Sequence, residues 1–281
     1  MDEHVFRVLR RNADQIAEPA RRLAQIAEGE RAELARWVRT DNGERAGEAY
    51  AAVFGGALCT PEFGRYCLEA AGGITDPRLL MRWLPDAAVA EEETSDTHVA
   101  YQRNAFSDGA FDAFCARLGA LSAQYQPSFN AVCEEIYYGR CGCGILPLQN
   151  SEDGLLPSVF RLIAKYDLKI LFTCEVAVPE RDATIRFALL RRTIYPRAPE
   201  RGSMQVRVVL PEKIPVGAFL AAAEGCGVTV ERLTTMPLTY TEELASLCIC
   251  FSVTKQTTAP LLLFLSSVLD SYDADGIFEA I

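Results

Sequence analysis

The run Cys141-Gly142-Cys143-Gly144-Ile145-Leu146-Pro147-Leu148 ends in Gln149, Asn150 and Ser151, a cluster of amide and hydroxyl side chains behind a hydrophobic stretch. Ile145, Leu146 and Leu148 suit a strand, while Val159, Phe160, Leu162 and Ile163 suit the buried stripe of a helix. The polar cluster therefore falls where a strand is expected to hand over to a helix. Side-chain donors beside the free N–H groups of a helix N-terminus are chemistry suited to an anion. Asn and Ser also cap helices well, so a purely structural use of Asn150 and Ser151 stands beside the ligand-binding one.

Other reactive residue types point away from chemistry. The ten cysteines include two C-x-C pairs, Cys141/Cys143 and Cys248/Cys250, inside strand-like runs that send both thiols of a pair to one face. No C-x-x-C knuckle accompanies them, and the histidines are His4 and His98. Buried, reduced thiols are the expectation, with no metal, no cofactor and no Cys-His or Ser-His nucleophile.

Composition narrows the partners. Of 281 residues, 49% are hydrophobic and 23% charged, as in ordinary globular proteins, and the length suits two or three domains. A net charge of −10 offers no footprint for nucleic acid or anionic lipid. The opening MDEHVFRVLRR lacks the apolar core of a signal peptide, and APLLLFLSSVL at residues 259 to 269 is too short to span a bilayer. A cytoplasmic protein that binds a small anionic ligand is expected.

Three segments must position these residues. Residues 1–95 read as a helical domain, with apolar spacing at Val5, Leu9, Ile16 and Leu23 and an interruption at Pro19, closing in the acidic run AEEETSDT. Residues 98–194 alternate strands and helices in the order β-α-α-β-α-β-β, which predicts an α/β layer with a largely parallel sheet. YPRAPERGS links this to residues 204–281, where strand, helix, two strands and a helix predict a split β-α-β, ferredoxin-like unit.

The middle segment resembles the prephenate dehydratase family. Val99-Ala100-Tyr101-Gln102 with Ala105-Phe106-Ser107 is similar to the family's opening strand and turn, and Gly144-Ile145-Leu146-Pro147-Leu148-Gln149-Asn150-Ser151 with Gly154 is similar to its P-I-E-N-S-x-x-G signature. Asp167-Leu168-Lys169-Ile170 through Glu175 resembles the strand that follows, and Thr184-Ile185-Arg186-Phe187 its T-R-F. The last segment resembles the ACT domain that usually follows a dehydratase. Leu9-Arg10-x-x-Ala13-Asp14-x-Ile16 is similar to the start of the helical chorismate mutases that can precede one, although an amphipathic helix with a solvated arginine face reads the same way.

The resemblance implies a periplasmic-binding-protein-like α/β fold and a reaction that removes carboxylate and hydroxide from prephenate to leave phenylpyruvate. It assigns Thr184 the catalytic acid role, Asn150, Ser151 and Arg186 substrate contacts, and Arg10 a contact in the mutase-like region. In the ACT-like segment Gly217 and Ala218, from the P-G-A-L turn, and Thr234 and Thr235, standing where the family has E-S-R-P, would contact an amino-acid effector. Such domains commonly pair, so a homodimer is expected.

Four departures accompany the likeness: Arg103-Asn104 in place of the opening glycine turn, Gln149 in place of a glutamate, an extra Ile185 between Thr184 and Arg186, and Glu175 and Thr184 only nine positions apart. If Arg186-Phe187 keeps register, Ile185 takes the threonine's place. The family builds a complete second lobe in that last interval, so a single lobe is expected here. Two readings follow: a divergent, regulatory or ligand-binding member with weak or no catalysis, or an active dehydratase completed by another chain or by the N-terminal helices.

Overall fold

The computed structural model describes residues 58–85, 97–152, 154–178, 183–237 and 245–281, with helical positions 28, 29, 32, 33, 35, 36, 38, 50 and 51. Arg10 and the acidic run up to residue 96 lie outside the described residues.

Local chemistry explains where the elements begin. Helix α1 (Pro61–Ala71) starts with proline at its first position behind Thr60, whose hydroxyl accepts from the Phe63 N–H. A short α2 (Pro77–Met81) repeats the device with Asp76 as cap. Strand β1 (His98–Tyr101) leads into α3 (Ala105–Leu118), which opens with a reciprocal capping box between Asn104 and Ser107. Then come β2 (Ser122–Tyr125), α4 (Phe129–Tyr137) capped by Ser128, β3 (Cys143–Asn150) and a two-residue β4 (Gly154–Leu155). Helix α5 (Pro157–Lys165), β5 (Lys169–Val178) and β6 (Ala183–Arg191) complete the middle segment. The remainder is β7 (Gly202–Val208), α6 (Val216–Gly225), β8 (Thr229–Pro237), β9 (Ala245–Val253), α7 (Thr258–Val268) and β10 (Asp273–Ala280).

Among the described residues these strands form one ten-stranded sheet in the order β2-β1-β3-β6-β5-β10-β7-β9-β8, with β4 paired to β3. The sheet is mixed rather than largely parallel. β1 is parallel to β2 and β3, and β10 is parallel to β5, while β6 runs antiparallel to both β3 and β5. The reason is the direct connection of β5 to β6, whose pairing extends out to Val178 opposite Ala183: strands joined by so short a link must be antiparallel.

Three strands go beyond those the sequence pattern predicts: β2, the two-residue β4 and β10. β10 matters most. It pairs antiparallel with β7 from Asp273 to Phe278, with a register shift between Ala274 and Gly276, and its end at Glu279 and Ala280 pairs with β5, welding the last segment to the middle one. Gly276 permits this, because a Cβ there would lie 2.3 Å from the Ile170 carbonyl oxygen. Arg197, in the Pro-rich connection, fastens the same joint by donating to the carbonyls of Leu171 and Ile277.

Helix α3 covers one face of the middle strands, sharing a core with Tyr101, Ile145, Phe172, Phe187 and Leu189. Helices α4 and α5 cover the other, against Leu146, Leu148, Ala188 and Leu190. In the last segment the order β10-β7-β9-β8 is antiparallel throughout, with α6 and α7 packed on Met204, Val206, Ile249 and Phe251. α1 lies over α6 and α7 and shares their core through Phe63, Tyr66 and Cys67. The crossing is so tight that a Cβ on Gly64 would sit 2.1 Å from the Ala222 carbonyl oxygen.

The alternation of Val206, Val208, Leu247, Ile249 and Phe251 with Val209, Cys248 and Cys250 leaves a second, partly apolar face on β7 and β9, to be covered either by a second subunit or by another part of the same chain. It is covered within the chain: Val159, Phe160 and Ile163 of α5 cluster with Cys250 and Phe278. What it buries is partly polar. Arg232 donates to Gln205, and Gln205 and Arg207 both donate to the buried Asp275. Burial pushes the Asp275 carboxyl up, against the pull of Arg207, Gln205 and Lys169.

Candidate functional site

A cleft of ≈ 210 Å³ opens at the C-terminal ends of β1 and β3. In open α/β sheets ligands gather at that edge, beside the strand from which successive connections leave to opposite faces. β1 is such a strand, lying between β2 and β3 with α3 and α4 on opposite faces. The cleft walls carry Phe106, Phe129, Ile145, Pro147, Leu156, Ile185 and Phe187, and its polar groups are Gln102, Asn104, Ser107 and Asn150.

Of the residues singled out from sequence, Asn150 lines this cleft. The strand does not hand over directly to a helix: Asn150 pairs with Gly154 in a tight β3–β4 hairpin, and α5 begins only at Pro157. The Asn150 carboxamide oxygen accepts from the Glu152 N–H, an Asx turn, so Asn150 caps a turn rather than α5. Ser151 sits at the rim and is engaged with Thr184: its N–H donates to the Thr184 carbonyl and its hydroxyl accepts from the Thr184 N–H.

Period-two alternation along β6 divides the T-I-R-F residues between two faces. Ile185 and Phe187 line the cleft, so Thr184 and Arg186 belong to the opposite face. Arg186 is spent there on Glu175, its cross-strand neighbour, at 2.7 Å. Within Thr184-Ile185-Arg186-Phe187 the cleft therefore receives Ile185, opposite Asn150, and Phe187, opposite Pro147.

The sequence reading missed Asn104, Phe129 and the aromatic lining. The available signal was Asn104-x-x-Ser107 directly after a strand, a capping box that marks a helix N-terminus at the sheet's ligand edge. The carboxylate of Asp108 accepts from the Tyr101 hydroxyl at 2.9 Å and lies 3.5 Å from Arg103, whose guanidinium also rests 4.8 Å over the Tyr125 ring. The nearest arginine in sequence is thereby held at the rim.

A second, smaller crevice lies between α5 and β8, lined by Pro157, Phe160, Arg161, Thr234, Thr235 and Cys248, among others. It brings Thr234 and Thr235 together but does not include Gly217 or Ala218, which stand at the exposed start of α6. The thiols beneath it are inert at neutral pH, since burial pushes Cys248 and Cys250 up to about 12. Among the described residues no group of three His, Cys, Asp or Glu side chains is placed to hold a metal ion, and no helix is long and apolar enough to cross a membrane.

No protein-family model matches this chain, and no curated protein matches its sequence. Solved structures do match. The prephenate dehydratase from Streptococcus mutans aligns over 66% of this chain and 98% of its own, at 18% identity and a TM-score of 0.52. The prephenate dehydratase from Arthrobacter aurescens, solved in complex with L-Phe, aligns over 65% of this chain and 90% of its own, at 14% identity and a TM-score of 0.52. At such identities the likeness is one of architecture, and this chain shares the mixed α/β fold of the prephenate dehydratases.

Proposed function

We propose that this protein is a divergent relative of the prephenate dehydratases in aromatic amino-acid metabolism, a regulatory or ligand-binding protein with weak or no catalysis. The observation that carries this reading is the cleft wall: Ile185 and Phe187 present hydrocarbon where the reaction needs a proton donor. The direct β5–β6 hairpin supports it further, because a cleft open on one side leaves reacting groups in water. On this reading residues 98–194 form the single ligand-binding lobe and residues 204–281 an ACT-like unit. For residues 1–95, most of which lie outside the described residues, the reading keeps a mutase-like region with Arg10 as a contact.

The competing reading is an active dehydratase, releasing water and CO2 from prephenate with Thr184 as acid and Ser151 and Arg186 as substrate contacts, fused to a chorismate mutase-like region. The presence of Asn150 on the cleft wall favours it. Incubating the pure protein with prephenate and with chorismate, and following phenylpyruvate, separates the two. The binding reading expects little or no formation above the uncatalysed rate. Robust formation that is lost in Thr184→Ala establishes the enzyme.

An effector amino acid would occupy the crevice beside Thr234 and Thr235, with Gly217 and Ala218 reached only across a subunit boundary. A homodimer through β8 would supply that boundary. β8 is the terminal strand of the sheet, and its Leu233 is 42% exposed. Light scattering at concentrations well above micromolar tests this, and a monomer removes it.

A further inference from the structure

We infer that the cleft at the ends of β1 and β3 selects an aromatic ring carrying an uncharged carbonyl arm, and discriminates against a dicarboxylate of the same skeleton. The inference rests on the reading of this cleft as a ligand site and specifies the ligand's chemistry. Three observations carry it.

First, no cation lines the cleft among the described residues. The two arginines that flank it in sequence are neutralised elsewhere, Arg103 by Asp108 at the rim and Arg186 by Glu175 on the opposite face. A carboxylate entering such a wall loses its hydration without gaining a partner, and two carboxylates lose it twice.

Second, the helix N-terminus beside the cleft has used all but one of its first N–H donors, that of Ala105. The Phe106 and Ser107 N–H groups donate to the Asn104 carboxamide oxygen, the Asn104 N–H donates to the Ser107 hydroxyl, and the Asp108 N–H donates to the Asn104 carbonyl. The self-capped helix offers no open nest for an anion. The Asn104 amide nitrogen, with no hydrogen-bond partner among the described residues, remains as a neutral donor on the wall, matched to a carbonyl oxygen.

Third, size and lining suit one ring. A cavity of roughly 150 Å³ takes up benzene, and this one measures ≈ 210 Å³ between Phe106, Phe129 and Phe187. That leaves room for a short arm.

Calorimetric titration of the full chain at pH 7 with 3-phenylpropanamide, 3-phenylpropanoate and benzylmalonate tests the inference on one skeleton. The amide is expected to bind at least about tenfold more tightly than the dicarboxylate, a factor equivalent to about 1.4 kcal/mol. Ile185→Arg, which plants a cation in the wall, is expected to reverse the order. Asn104→Asp keeps the cap acceptor but removes the amide donor, and is expected to weaken amide binding by about tenfold even if the arginine variant fails to fold. A dicarboxylate that binds wild type as tightly as the amide overturns the charge selection while leaving the ligand-binding reading intact. Amide binding unchanged in Asn104→Asp overturns the assignment of the donor, and the inference with it. If none of the three compounds binds, both the inference and the reading beneath it fall.

Discussion

Ser151 and Thr184, 33 positions apart, hold each other through two hydrogen bonds of 2.9 Å: the Ser151 N–H donates to the Thr184 carbonyl, and the Thr184 N–H donates to the Ser151 hydroxyl. Both residues have the types that a catalytic reading would seek. In the fold they form a clasp between the β3–β4 turn and the start of β6, so part of their polarity is spent on positioning the end of the sheet.

The two sides of this clasp are unequal, which separates the variants. Thr184 contributes backbone atoms only, so Thr184→Ala should change stability by less than about 0.5 kcal/mol. Ser151→Ala removes the acceptor and should cost about 0.5–1.5 kcal/mol. Urea unfolding of both measures this, and a larger loss for Thr184→Ala than for Ser151→Ala would contradict the clasp.

Alanine normally stabilises a helix interior over glycine by about 0.5–1 kcal/mol. At Gly64 the sign should invert, because the added methyl meets the Ala222 carbonyl and must push α1 off α6. A loss of about 1–3 kcal/mol is expected for Gly64→Ala in thermal unfolding. Any gain in stability would mean that the two helices are not in contact at this point.

Phe160 reaches from α5 to Cys250 and Phe278 on the far half of the sheet, with the Arg232 guanidinium 5.8 Å from its ring centre. Phe160→Ala should therefore cost about 3–5 kcal/mol, and its effect should be non-additive with Cys250→Ala. Strict additivity in a double-mutant cycle would separate α5 from the sheet face that it covers.

Glu135 closes the C-terminal turn of α4 against β2. Its carboxylate accepts from Arg140 at 2.8 Å and from Gln124 at 3.2 Å. The Arg140 hydrogen bond holds its carboxyl below the ordinary range, with the Arg140 charge and the Gln124 hydrogen bond adding to it and burial opposing. A depressed carboxylate contributes stability that is present above the unfolded value of about 4.3 and is lost as pH falls through the folded value. Wild type should thus exceed Glu135→Gln in urea midpoint at pH 7, with the gap closing in acid. A gap that widens as pH falls would show the sign to be wrong.

Much of this molecule is written locally. The Asn104-x-x-Ser107 box, Thr60 before Pro61 and the apolar stripe of α5 each specify an element through neighbours three or four positions away, and such patterns survive without tertiary context. The resemblance carried by residues 144–151 pointed to the sheet edge where the cleft lies, and the nine-position interval from Glu175 to Thr184 required a direct connection between β5 and β6.

Tertiary structure alone decided the rest. The face that Thr184 takes depends on the pairing of Phe187 with Pro147, a long-range register in which a slip of one residue exchanges Ile185 for Thr184 in the cleft. β10 (DADGIFEA) carries no clear strand alternation and becomes a strand where β5 and β7 supply partners for its backbone, because strand stability lies in the pairing and not in the segment. The second face of β7 and β9 is filled by α5 of the same chain, since sequence shows which surfaces are apolar but not which of the available surfaces will meet them.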